Sequence, residues 1–340
     1  IFFAAANAFA YAVAIGQHME HDFLNLRYNI ASNQYTKFIS TFGNINMYAS
    51  YLSISIPVLL AVFAFCKNWF SRILSGILLI AAGCNILIAN SDSVFLGIFA
   101  GVVVVTILAF MQGRLRYSSF AVFLLFVGNL VLGFINKYGH TRYDKKRGGL
   151  AIALNRLDIA FVLCGAALLV FAVVCVCNWK LGTRVAAWNK KKIVLIVCGA
   201  CVALGVIGII VLAVTGSSLL TFNDKWGSYR GYIWRKIVEV YGDAPFVNKL
   251  FGYGNESVRV TLKAACYNEM VQVTGKVYDN AHNELLQYLF TTGIVGLLSY
   301  LALVGSSIVY MFKHAKEHAW ISVCLAATVG YFAQSILNLN

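Results

Sequence analysis

Apolar blocks of about twenty residues recur along this chain, separated by short polar links. A block of that length crosses a hydrocarbon core of roughly 30 Å as a helix rising 1.5 Å per residue. Nine spans are expected, over residues 1–16, 47–66, 73–90, 92–111, 118–136, 159–178, 193–214, 294–312 and 319–337. Composition agrees. The chain is 60% hydrophobic and 12% charged, with a mean hydropathy of +0.75. A soluble domain is about half apolar and about a quarter charged. The expected fold class is therefore all-α, a polytopic integral membrane protein. The opening "IFFAAANAFAYAVAIG" is already apolar, without an initiator Met or a signal-peptide leader. The chain thus reads as a piece that begins inside a span, with earlier spans missing.

The links divide by charge. "KNWFSR" (67–72), "QGRLR" (112–116), "KLGTRVAAWNKKK" (180–192) and "KHAKEH" (313–318) are short and basic and fall on one side, which is expected to be the cytoplasm. The opposite side receives 17–46, "SDS" (91–93), 137–158 and the longest loop, 215–293. One link breaks the pattern, because "KYGHTRYDKKRGG" (137–149) is strongly basic yet falls outside. Its cations meet either lipid headgroups or a specific anionic partner. The net charge of +14 is read through this topology and not as a nucleic-acid signal. Three regions follow: spans one to seven (1–214), a large extracytoplasmic loop (215–293), and the C-terminal spans (294–340).

Eight of the nine cysteines lie in or beside apolar runs, and only Cys266 falls in the long polar loop. That leaves no internal loop disulfide, and "CVC" and "CGAC" lack the paired ligands of a zinc site. "HMEH" (18–21), followed by Asp22, has two histidines three apart but no second ligand cluster. The chain has no P-loop, no GxGxxG after a strand, no GxSxG and no exposed DxD. Nucleotide-handling machinery is therefore not expected.

The long loop carries eight cations and seven anions between 215 and 284, with aromatic residues at Phe222, Trp226, Tyr229, Tyr232 and Trp234. Such a mixture favours a folded cap over disorder. Within it, "GSYRGYIWRKIVEVYG" (227–242) reads as a helix. Arg230 and Arg235 either hold a phosphate through forked contacts or sit on a membrane-surface amphipathic helix beside lipid phosphates. Trp234, Tyr229 and Tyr232 suit the headgroup level. Further on, "HNELLQYLFTTG" (282–293) spaces Leu285, Leu286, Leu289 and Phe290 as a helical stripe that Gly293 can end. His282 and Asn283 sit at its N-terminus, where the positive dipole end favours a neutral imidazole and also an anion such as pyrophosphate. His282 is either a proton acceptor or an interfacial histidine without a role. Asn44 and Asn46 precede the second span as caps or as ligands of sugar hydroxyls.

Three stretches together resemble the O-antigen ligase and O-antigen polymerase superfamily of bacterial membranes. "TFGNINMYASYLSISIP" (41–57) is similar to the family's Asn-rich segment, and "YRGYIW" with "LFGYG" (250–254) to its arginine segment and the Gly-rich stretch after it. "AHNELLQYLFTTGIVGLLSYL" (281–301) resembles its histidine-asparagine motif, with Gly293 and Gly296 as the glycine pair. The resemblance implies a GT-C-like glycosyltransferase in the bacterial inner membrane, its site facing the periplasm or cell exterior. It implies that glycan passes from undecaprenyl pyrophosphate to an acceptor hydroxyl, without nucleotide sugar, cofactor or metal. His282 matches the histidine proposed to activate the acceptor, and Arg230 the arginine taken to bind pyrophosphate. Asn283, Arg235, Arg142, Arg147 and Asn46 are the expected substrate-binding residues. Implied partners are the lipid-linked glycan, an acceptor glycan, membrane lipids, and chain-length regulator and flippase proteins, with no nucleic acid.

Two departures matter. This chain has "ANSDSVFLG" (89–97) where many members carry a Ser-Arg-Gly-like motif, and Thr291 where many carry an acidic residue. A second pyrophosphate-binding cation is therefore expected from Arg142, Lys145, Lys146 or Arg147. Against a transporter, the spans hold almost no charge and offer residues such as Asn85 and Asn129 instead. A structural scaffold has no reason to pair Arg230 with His282. Polymerase and ligase share these motifs, and polymerase is the expectation, with ligase-type transfer to a lipid core or protein as the alternative.

Overall fold

The computed structural model describes residues 2–31, 34–35, 38–89, 91–139, 154, 156–186 and 223–337. These hold eleven helices and no strand. In chain order they are α1 (Phe2–His18), α2 (Ile45–Phe65), α3 (Trp69–Ala89), α4 (Asp92–Met111), α5 (Leu115–Tyr138) and α6 (Leu157–Ala186), then α7 (Trp226–Gly242), α8 (Phe246–Phe251), α9 (Ser257–Thr274), α10 (Glu284–His314) and α11 (Ala319–Ser335). Six helices are long and apolar enough to cross a membrane: α2, α3, α4, α5, α6 and α10. The expected spans 1–16 and 319–337 are α1 and α11, helices of 17 residues each. The expected span 193–214 and most of the basic link 137–158 lie outside the described residues. One boundary needs correction: α6 continues through the start of the basic link to Ala186. α10 begins at Glu284 and joins the expected helix over 282–293 to the expected span from 294 across a break at Gly293.

The chain divides into two units. The first comprises 1–190 with 308–334, and the second 191–307 with 335–339. In the first, α2 packs on α3 and α4, while α5 packs on α3 and α6. Asn44 starts α2 as its N-cap: its side chain accepts from the Asn46 backbone N–H at 2.7 Å. Asn46 is thus in the helix's first turn as the recipient of the cap. Two polar pairs cross between helices of this bundle. Tyr48 donates to Asn85 at 2.6 Å, and Ser50 donates to Gln334 at 2.8 Å. Asn85 therefore links α2 to α3. Asn129 differs, since its carbonyl oxygen is buried without a partner and it lines an apolar cavity of about 360 Å³ between α3, α4, α5 and α6. "HMEH" forms no metal cluster among the described residues: the His18 Nε2 lies 2.6 Å from Asn136 Oδ1.

The second unit has its own core, in which Tyr232, Ile233 and Ile237 of α7 meet Val258, Leu262 and Met270 of α9, together with Tyr278, Ala281 and Phe290. This overturns the surface-helix reading of α7. Its apolar face is covered by α9, and Tyr232, expected at the headgroup level, is fully buried.

α10 is broken at Gly293, with φ 69° and ψ −172°. Tyr300 donates to Glu284 at 2.9 Å, and the Tyr288 and Tyr300 rings stack at 4.2 Å. Sixteen residues of straight helix would separate Glu284 from Tyr300 by about 24 Å, so the first turns of α10 fold back along the rest. The break is held by the 250–254 strip, where Tyr253 N–H donates to Phe290 O at 3.0 Å and Gly254 N–H to Thr291 O at 2.9 Å. A Cβ at Gly293 would lie 2.2 Å from Leu250 O, and one at Gly252 (φ 76°) would lie 2.3 Å from Thr291 O. Both glycines also adopt backbone angles that side-chain-bearing residues avoid, at a cost of about 1–3 kcal/mol each. Gly293→Ala is expected to lower stability by at least that amount, read as a reduced thermal midpoint in detergent. An unchanged midpoint would contradict the close approach.

Candidate functional site

The site is built from two strained turns that face each other within the second unit. The first precedes Arg230: Gly227, Ser228 and Tyr229 all have left-handed angles (φ 58°, 60° and 73°), and regular helix starts at Arg230. The second holds His282 itself, at φ 48°. Left-handed non-glycine residues are uncommon and persist only where surrounding contacts enforce them. Two hydrogen bonds do so here. The Tyr278 hydroxyl donates to Ser228 O at 2.9 Å, and the Trp234 indole N–H donates to Ala281 O at 2.8 Å. Asn280 and Asn283 add local order. Asn280 Oδ1 accepts from the His282 N–H at 3.0 Å, while Asn283 Oδ1 accepts from the Leu286 N–H at 3.0 Å and so caps α10.

The imidazole lies edge-on to the Tyr278 ring, with centroids 5.8 Å apart and planes at 88°. Its Nδ1 is buried with no hydrogen-bond partner. Burial, then the Arg230 charge, then that of Lys276, pull the His282 pKa down to about 4, with Asp279 opposing. The ring is therefore neutral at physiological pH and able to accept a proton. Arg230 also acts electrostatically on Tyr278, whose phenol is nevertheless pushed up by burial and stays a donor. The Arg230 charge thus reaches both rings.

Other expected residues are placed elsewhere. Arg235 is held by carboxylates: it meets Asp224 through two nitrogens (3.1 and 2.9 Å) and Glu239 at 2.8 Å, and lies 3.8 Å from Glu269. Its guanidinium fork is engaged within the cap. Lys236 closes the same cluster, at 2.9 Å from Glu239 and 2.8 Å from Glu269. Asn46 belongs to the first unit. Arg142, Lys145, Lys146 and Arg147 lie outside the described residues. Thr291, at the position where an acid is common in the resembled family, donates its hydroxyl to Gln287 O at 2.7 Å.

Tyr278, Trp234 and Lys276 had no sequence signal as site residues. Tyr278 is a lone aromatic in "KVYDN", and its partner Ser228 is fifty residues away. Tyr278→Phe removes the tie to the strained turn. It is expected to cost about 0.5–1.5 kcal/mol of stability and to loosen Arg230, lowering any activity that depends on Arg230. A thermal scan and an activity assay together check this, and an unaffected Tyr278→Phe would show that the turn is held by other means.

Fold and site together define a helical protein with six helices long and apolar enough to cross a membrane and a folded polar unit that carries both His282 and Arg230. Residues 147–301 match the family described as O-antigen ligase, supporting the O-antigen ligase and polymerase superfamily. The matched stretch contains Arg147, Arg230, Arg235, His282 and Asn283. No curated protein matches the chain. The family and the apolar helices support a bacterial inner-membrane protein with ligase- or polymerase-type glycan transfer from lipid-linked substrates.

Proposed function

We propose that this protein polymerises oligosaccharide repeat units carried on undecaprenyl pyrophosphate, making O-antigen, capsule or exopolysaccharide. The acceptor sugar hydroxyl gives its proton to His282 as its oxygen bonds to the donor's anomeric carbon. The bond from that carbon to pyrophosphate breaks, and undecaprenyl pyrophosphate leaves with the electron pair. Arg230 stabilises the charge growing on the leaving group. The observation that supports this reading is the pair of left-handed turns that precede Arg230 and hold His282, tied by the Tyr278–Ser228 and Trp234–Ala281 hydrogen bonds. The cap faces the periplasm or cell exterior, where the lipid-linked glycan is presented, and the transfer needs no metal.

Arg235 is left out of this scheme because carboxylates already occupy it. Asn283 positions His282 by capping α10. Arg142 and Arg147 supply the second cation for pyrophosphate. An Arg142→Ala/Arg147→Ala variant is expected to lose transfer, and full retention would remove them from the site.

The test is release of undecaprenyl pyrophosphate from lipid-linked oligosaccharide in reconstituted membranes. Release with lengthening of the glycan is expected. Release without lengthening identifies ligase-type transfer to a lipid core or protein, the alternative reading. No release by folded protein overturns both.

A further inference from the structure

α8 is only six residues long, yet none of them is buried. At 100° per residue Phe246, Leu250, Val247 and Phe251 fall within an arc of about 140°, with Asn248 and Lys249 on the other side. Phe246 is 75% exposed, Val247 66% and Phe251 62%. Three large apolar side chains standing bare on one short helix are unusual for a surface facing water.

The position of α8 is fixed at both ends. The Tyr241 hydroxyl donates to Lys249 O, and Asn248 Nδ2 donates to Gly252 O at 3.1 Å. The strip that follows is bonded to Phe290 and Thr291, and Leu250 O lies against Gly293. Gly293 is the last residue before the apolar run of α10 that reads as a span. Ile294, Val295 and Leu298 at the head of that run are themselves exposed, as lipid-facing residues are. The bare face of α8 is therefore anchored beside the point where α10 passes into lipid.

We propose that α8 is a membrane anchor of the cap, with Phe246, Val247 and Phe251 embedded in the headgroup–acyl boundary of the bilayer. The occupant of this face is lipid, because the face adjoins a lipid-facing span and carries only apolar side chains. Lys249 on its flank suits anionic headgroups. The glycine clip at 252 and 293 then ties the height of the cap to the membrane surface through two rigid backbone contacts. This inference holds whichever reaction the cap carries out.

The test places a photoreactive diazirine amino acid at position 246, 247, 249 or 251 of the full chain. The protein is reconstituted in vesicles of phosphatidylethanolamine and phosphatidylglycerol and illuminated. Acyl-chain adducts are expected at 246, 247 and 251, and headgroup or solvent-quenched product at 249. Solvent-quenched product at the three apolar positions overturns the proposal, as do protein adducts there, which would mean that a protein surface covers the helix. A Phe246→Asp/Phe251→Asp variant with the probe at 247 separates anchoring from mere nearness. Loss of lipid adducts supports the anchor, and unchanged adducts overturn it, since the α10 tether alone would then bring the probe to lipid.

Discussion

Replacing His282 with asparagine is expected to lower glycan transfer about a hundred- to ten-thousandfold, the range for removing a positioned general base. Asparagine is the informative substitution because of the backbone. His282 sits at φ 48°, a conformation that asparagine tolerates far better than alanine. His282→Asn keeps the turn and removes the base, whereas His282→Ala removes the base and strains the turn. Equal losses in both variants locate the effect in the imidazole. A folded His282→Asn protein with full activity would end its role as base.

The pH profile follows from the same group. His282 titrates near 4 when folded and near the ordinary 6.5 when unfolded. The wild-type activity should therefore stay flat through pH 6 and fall only as pH drops through about 4. An acid limb near 6.5 would mean that the ring is not buried during the reaction. Stability moves in the same direction. Between the two pKa values the unfolded chain binds more protons, so the contribution is present above about 6.5 and lost as pH falls toward 4. His282→Asn should remove that part of the acid sensitivity.

Arg230 carries the second large effect. Arg230→Gln should lower transfer about a hundredfold or more, the scale for deleting one preorganised donor to a developing charge. Arg230→Lys should recover only part of this, because ammonium keeps the charge but cannot form the planar fork. The two variants also differ at His282. Removing the Arg230 charge should raise the acid limb above 4, but not to 6.5, because burial is the larger cause of the depressed pKa. Arg230→Lys should leave the limb near its wild-type position. A loss of transfer in Arg230→Gln with no movement of the limb would show that the two side chains are not electrically coupled, and the site as described would fail.

Much of this was legible from residues in order. Six of the nine expected spans read from blocks of apolar residues because lipid imposes a length and a polarity on each helix independently of its neighbours. Asn44 as a cap, Gly293 as a helix end and the folded character of the long loop were legible for a related reason: each rests on chemistry within a few residues. Misread features depend on what lies opposite. α7 looked amphipathic and interfacial, and its aromatic residues looked suited to headgroups. Its actual cover, α9, is separated from it by α8 and a loop. Arg235 was read beside Arg230 as a phosphate ligand, and only the tertiary structure shows that Asp224, Glu239 and Glu269 approach it.

By itself, then, the order of residues determined a helical protein with apolar spans and one long polar stretch, and the family resemblance drew attention to His282 and Arg230 within it. The first of these follows from local hydropathy. The tertiary structure decided that Arg235 is held by carboxylates, that the Nδ1 of His282 is buried, and why Gly252 and Gly293 must lack side chains. Each of these depends on a contact between residues far apart in the chain. The Tyr278–Ser228 bond and the backbone clip at Gly293 exist only once the chain has folded back on itself.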